Sequence, residues 1–129
     1  MSQDYRDLVV WQRSIDLCLC IYKLTRTFPK EEQYGLTSQL RRASVSVASN
    51  IAEGRGRLNG PEFRQFLGLS QGSLYELQTQ LIVAKGLGIG NDEALNTAQS
   101  LSDEVSKMLG SFIQTLNDAT ARKKLVARS

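Results

Sequence analysis

Three observations predict an all-α fold, an antiparallel up-down-up-down four-helix bundle. Four long segments repeat apolar residues at the 3.6-residue helical period, turn and cap signals separate them, and the chain has only two prolines in 129 residues. β-branched alternation is sparse. A chain of this length can bury one core without metals or disulfides, so residues 1–129 are read as a single domain.

The first helix is expected over about residues 7–27. Asp4 or Asp7 can cap its start, and Pro29 ends it by pushing the preceding residue out of the α region. The second is expected over 36–55. Leu36, Leu40, Ala43, Val47, Asn50, Ile51 and Gly54 form its core stripe, and Gly56 reads as a left-handed terminator. Ala43, Ser44, Ala48, Ala52 and Gly54 carry little bulk, so a neighbouring backbone can come close. Asn50 on this stripe needs partners and reads first as a packing-register device.

Asn59, Gly60 and Pro61 read as turn, cap and first position of a third helix over 61–85. Its inner stripe is Phe63, Leu67, Ser70, Leu74, Leu77, Leu81 and Ala84. Gly86, Gly88 and Gly90 break it. Asn91 or Asp92 then caps a fourth helix over 92–116, whose stripe is Ala98, Leu101, Val105, Met108, Phe112 and Leu116. The basic tail, 117–129, is read as a solvated, frayed end, with a binding arm as the alternative.

More apolar surface is present than one bundle uses. The first helix is apolar on most sides, and the third places Gly68, Gly72, Tyr75, Thr79 and Val83 opposite its core stripe. Glycine inside a helix costs about 1 kcal/mol relative to alanine, so two spaced by four on an outer face point to close approach by another protomer. The expected subunit contacts are Trp11, Leu17 and Ile21 from the first helix and Gly68, Gly72 and Tyr75 from the third.

Charge is uneven. The formal net charge is +3. Five arginines (Arg41, Arg42, Arg55, Arg57, Arg64) against Glu53 and Glu62 make one basic centre, and Arg122, Lys123, Lys124 and Arg128 make a second. Basic centres on an otherwise acidic body suggest an anionic partner, RNA or DNA before an acidic protein. Candidate phosphate contacts are Arg41, Arg42, Arg55, Arg57, Arg64, Lys123 and Lys124. No recognition motif or aromatic stacking platform is evident, so charge and shape rather than sequence would be read.

Other classes fare worse. With no histidine in the chain, catalytic triads and imidazole metal sites are excluded. Cys18 and Cys20, two apart on a helix, diverge by about 200° and cannot readily bridge. Glu31 with Glu32, or Glu53 near Asn50, could in principle transfer protons, but adjacent acids at a helix start usually complement its dipole. No cofactor, metal or enzymatic activity is expected. No segment approaches the roughly 18 uninterrupted apolar residues of a membrane span, and MSQDYRD lacks the features of a secretory signal. A cytoplasmic protein is the expectation.

Taken together, Leu8, Val10, Trp11 and Gln12, then Phe28-Pro29, Tyr34-Gly35-Leu36, Gln39-Leu40-Arg41-Arg42-Ala43, Ser46 and Asn50-Ile51-Ala52-Glu53-Gly54, form a specific pattern. It continues in Phe66-Leu67, Gly72-Ser73-Leu74-Glu76-Leu77 and Gln80-Leu81. The chain resembles the four-helix bundle proteins encoded by intervening sequences within bacterial 23S rRNA genes. Gln78 and Ile89 depart from it, standing where an acid and an aromatic are expected. The resemblance implies a cytoplasmic bundle assembled as a homopentameric ring. The related accessory variability protein of diversity-generating retroelements has a basic ring implicated in nucleic-acid handling and reverse-transcriptase partnership. Carried onto this chain, that role falls on Arg41, Arg42 and Arg55, then on Arg57 and Arg64. The alternative is a scaffold that binds another protein through its apolar faces without nucleic acid.

Overall fold

The structure, a computed structural model, describes residues 4–128, and those residues form four α-helices and no strand. A short 3-10 turn, Tyr5–Asp7, is capped by the Asp4 carboxylate, which accepts from the Arg6 N–H. Leu8 is extended, and α1 (Val9–Thr25) starts after it, two residues later than the periodicity suggests. α1 also ends before the expected Thr27. A second turn, Lys30–Glu32, leads into α2 (Leu36–Arg55), where the Glu32 side chain accepts from the Leu36 N–H and satisfies a first-turn donor.

α2 does not end in a left-handed glycine: Gly56 has φ −78°, still in the right-handed region. The positive φ values belong to Gly88 and Gly90, in the turn after α3 (Gly60–Gly86). Asn59 caps α3 by accepting from the Glu62 N–H, and Asn91 caps α4 by accepting from the Ala94 N–H.

α4 spans Asp92–Arg128, twelve residues beyond the expected end at Leu116. The basic tail is therefore helical through Arg128 rather than frayed. Residues 117–128 contain no glycine or proline and are rich in Ala, Lys and Arg, and they extend a helix already nucleated by packing. Cations in its last turns also complement the helix dipole.

Each helix packs on its sequence neighbours, α1 closes on α4, and the backbones of the diagonal pairs stay apart across the shared core. The pairing is antiparallel: Gln39 meets Gln80, Ser46 meets Ser73, and Gly54 lies against Phe63 and Phe66. Across the next seam, Lys85 reaches Asn96 and Arg64 reaches Asn117. The core holds Leu17, Ile21, Leu40, Val47, Ile51, Leu67, Leu74, Leu77, Val105 and Leu109, all fully buried. Leu17 and Ile21 are thus in the protomer's own interior and cannot form a subunit interface. Asn50, half-buried beside this core, donates to the Ser46 carbonyl and hydroxyl, so its partner is one turn back on α2.

Candidate nucleic-acid interface

Antiparallel packing brings the start of α1, the end of α2, the start of α3 and the end of α4 to one end of the bundle. That end carries eight basic side chains (Arg6, Arg55, Arg57, Arg64, Arg122, Lys123, Lys124, Arg128) and five acidic ones (Asp4, Asp7, Glu53, Glu62, Asp118). The middle and the opposite end each hold four of either sign. The chain's whole net charge of +3 therefore sits at one end.

The basic centre read from Arg41 to Arg64 as one unit is divided by this geometry. Arg41 and Arg42 lie fourteen and thirteen residues before Arg55 on the same helix, about 20 Å along its axis at 1.5 Å per residue. Arg41 is half-buried against α1: its Nε donates to the Thr25 hydroxyl at 2.9 Å, and its guanidinium stands 4.7 Å from the Tyr22 ring centroid. It is held in place by packing. Arg42 is exposed, with Glu76 of α3 at 3.9 Å.

The remaining arginines come together with the α4 extension. Arg57 donates to Glu53 at 2.9 Å and lies over Phe66 at 4.5 Å, while Arg55 lies over Phe63 at 5.9 Å. Arg64 donates to the Asn117 side chain at 2.6 Å, which ties the start of α3 to α4 where the extension begins. Beyond that contact Arg122, Lys123, Lys124 and Arg128 are exposed on the helical extension, and they form no ion pair among the described residues. Pairs such as Arg57 with Glu53 are exposed and weak, so a phosphate can compete for those donors. Arg6, held by Asp4 at 3.1 Å, joins this end although its sequence position gives no hint of it.

The expected subunit contacts divide between two helices. Gly68 and Gly72 are exposed on the outer face of α3, with open space where a Cβ would stand, and Tyr75 beside them is half exposed. Leu69 (53% exposed) and Ile82 (65%) flank this stripe. Trp11 is half-buried on α1 and meets Tyr5 edge to face at 5.2 Å; Leu19, 62% exposed, lies on the outer face of the same helix. Periodicity does not single out Leu19, because α1 is apolar on almost every side.

The described residues bring together no group of three or more metal-ligating side chains. Burial pushes the Cys20 thiol above its ordinary range, away from the thiolate a nucleophile needs. Cys18 lies 3.5 Å from the Ser44 hydroxyl. No helix among the described residues is long and apolar enough to cross a membrane.

The fold has a solved counterpart in a protein of unknown function from the S23 ribosomal protein family of Bacteroides thetaiotaomicron. The two share 21% identity with a TM-score of 0.73, over 81% of this chain and 98% of that one. No curated protein matches the chain. Residues 6–111 match the family described as 23S rRNA-intervening sequence protein, a span that covers α1 to α3 and the first part of α4 but not the α4 extension. The chain belongs to the 23S rRNA-intervening sequence protein family.

Proposed function

We propose that this protein is a non-enzymatic, ring-forming cytoplasmic bundle that binds structured RNA or DNA through its basic end, by charge and shape. The observation that carries this reading is the confinement of the entire net positive charge to one end, where four helix termini meet and the basic α4 extension projects. Arg55, Arg57, Arg64, Lys123 and Lys124 are the principal phosphate contacts. Arg41 and Arg42 form a separate, smaller positive site on α2.

Ring formation is the natural use of the two apolar faces. α1 and α3 are diagonal in the bundle, so their outer faces lie on different sides of it. Joining the α1 face of one copy to the α3 face of the next is a heterologous contact, which closes into a cyclic ring when the rotation allows. Bulky Trp11 and Leu19 on one side are complementary to the recess over Gly68 and Gly72 on the other. A pentamer, the assembly implied by the family resemblance, would repeat the basic end five times around one axis and bind several phosphates by avidity.

The test is binding of a structured rRNA fragment and of matched duplex DNA across a salt series, with mass measured by light scattering on the same sample. Expected are a closed oligomer and an affinity that falls steeply with salt. Replacing Arg55 or Arg64 by Gln should weaken binding and lower the salt slope by about 1 for each phosphate no longer engaged. Gly72→Leu should yield monomers. Absence of binding even at low salt would leave the scaffold reading, in which the exposed apolar faces of α1 and α3 hold another protein.

A further inference from the structure

Within the basic end, the surface sinks into a cleft of about 380 Å³ between the α2–α3 turn and the neighbouring helix ends. Its floor is apolar: Leu8, Phe63, Phe112 and Leu116, with the two phenylalanines edge to face at 5.2 Å. Arg55 and Arg57 stand at its rim. Leu58, which follows them in sequence and is fully exposed, also lines it. A single exposed leucine requires no explanation. This one stands at the mouth of an apolar depression, beside two guanidinium groups.

Arg55 is the least satisfied group there. It is half-buried and makes no hydrogen bond or ion pair among the described residues. Its one specific contact is the Phe63 ring at 5.9 Å, although the Asp4 carboxylate feels its charge through space. A guanidinium has five N–H donors in a planar fork suited to phosphate. Arg57 uses one donor on Glu53 and keeps others open. The cleft thus offers an apolar floor and lip with cationic donors on its rim, and its volume lies within the roughly 300–1,000 Å³ of small-ligand sites. A ligand that fits this chemistry has a flat, weakly polar body joined to a phosphate, which is a nucleotide.

We propose that the cleft takes the unpaired terminal nucleotide of a nucleic-acid strand, with the base on the Phe63–Leu116 floor beneath Leu58 and its phosphate between Arg55 and Arg57. This rests on the nucleic-acid reading given above. A base inside a duplex is stacked and paired and cannot enter a concavity, whereas an unpaired end enters at the least cost. A strand is favoured over a free mononucleotide because Arg64 and the α4 arm lie at the same end, placed to engage adjoining phosphates. The floor is apolar and Asn59 spends its oxygen on the Glu62 N–H, which leaves only its NH2 donors for a base edge, so weak selectivity among bases is expected.

The experiment compares, by fluorescence anisotropy with the full-length protein, one duplex sequence in two forms: closed by hairpins at both ends, or carrying a short unpaired overhang. The overhang form is expected to bind about tenfold more tightly, in line with one stacked base. Leu58→Ser removes the lip at a fully exposed position. Gly60→Trp fills the cleft, at a site where an added Cβ meets nothing within 4 Å. Both variants should abolish the overhang preference and leave the closed duplex's affinity and salt slope unchanged. Equal affinity for the two forms, or a preference that survives both variants, overturns the proposal. So does displacement of the overhang by free nucleoside monophosphate at comparable concentration, which would make the mononucleotide the occupant. Failure of both forms to bind at any salt removes the nucleic-acid reading itself, an outcome distinct from binding without preference.

Discussion

The seam between α2 and α3 and the seam between α1 and α4 are built on opposite principles. Along the first, small and hydroxyl-bearing residues let the backbones approach. The Ser46 and Ser73 hydroxyls meet at 2.8 Å, Ser70 donates to the Val47 carbonyl at 2.7 Å, and a Cβ on Gly54 would stand 2.6 Å from Phe66 Cβ. Buried Gln80 completes the ladder by donating to Gln39 and Glu76. Along the second seam two open grooves, about 870 and 580 Å³, lie on either side of one ion-pair bridge. There Arg13 holds Glu104 through two bonds, at 3.1 and 2.7 Å, and Asp16 through a third. Close approach makes a seam intolerant of added volume, whereas a seam pinned at one point has room to spare. The same substitution should therefore have opposite signs on the two.

The largest effect is expected at Gly54. Helix propensity alone would favour a larger residue there by about 1 kcal/mol. Gly54→Leu should instead destabilise by about 3 kcal/mol, because Phe66 Cβ and the Phe63 carbonyl, 3.3 Å from the added Cβ, belong to the α3 backbone and its root and cannot rotate away. Urea unfolding measures it; a rise in midpoint would show that α3 is not held as described. Ser73→Leu should follow, with a loss of about 2 kcal/mol from overpacking and from the broken hydroxyl pair.

The tight seam is largely legible in the sequence and the open one is not. Gly54 announces close packing by its size, a local property that survives translation into three dimensions. Asn59, Pro61 and Asn91 mark helix starts by chemistry that acts within one turn. Leu17 and Ile21 read wrongly as subunit contacts because α1 offers apolar residues on nearly every side, and periodicity cannot say which stripe turns inward. The basic site blurs for a related reason. Arg41 and Arg55 are near in sequence but about 20 Å apart along a rod, while Arg6 and Lys123 are far in sequence and belong to the same end of the bundle. Net charge therefore points to an anionic partner before the residues that would touch it can be sorted. The cleft beside Leu58 needs four chain segments to form, and none of them carries its signal alone.

Smaller effects should appear on the open seam, and the first has the opposite sign. Ser111 is exposed beside Val10, Met108 and Phe112 in the smaller groove. Ser111→Leu should stabilise by about 0.5 kcal/mol by burying part of its side chain there. A loss comparable to that of Ser73→Leu would mean that the two seams are equally close-packed.

The smallest effect belongs to the bridge itself and is best read through pH. Hydrogen bonds from Arg13 hold the Glu104 carboxyl below its ordinary value near 4.5. A carboxylate depressed in the folded state binds its proton more readily when unfolded, so its contribution is complete above pH 4.5 and is lost as pH falls through the lower folded value. Because Glu104 is exposed and Arg13 only partly buried, the contribution is small and screened by salt. Glu104→Gln should therefore lower the melting temperature slightly at neutral pH and low salt, and the difference from the parent should vanish at strongly acidic pH. A difference that persists there would mean that Glu104 acts through packing between the two grooves. The seam would then be held by shape, like its counterpart across the bundle, and not by a single pair of charges.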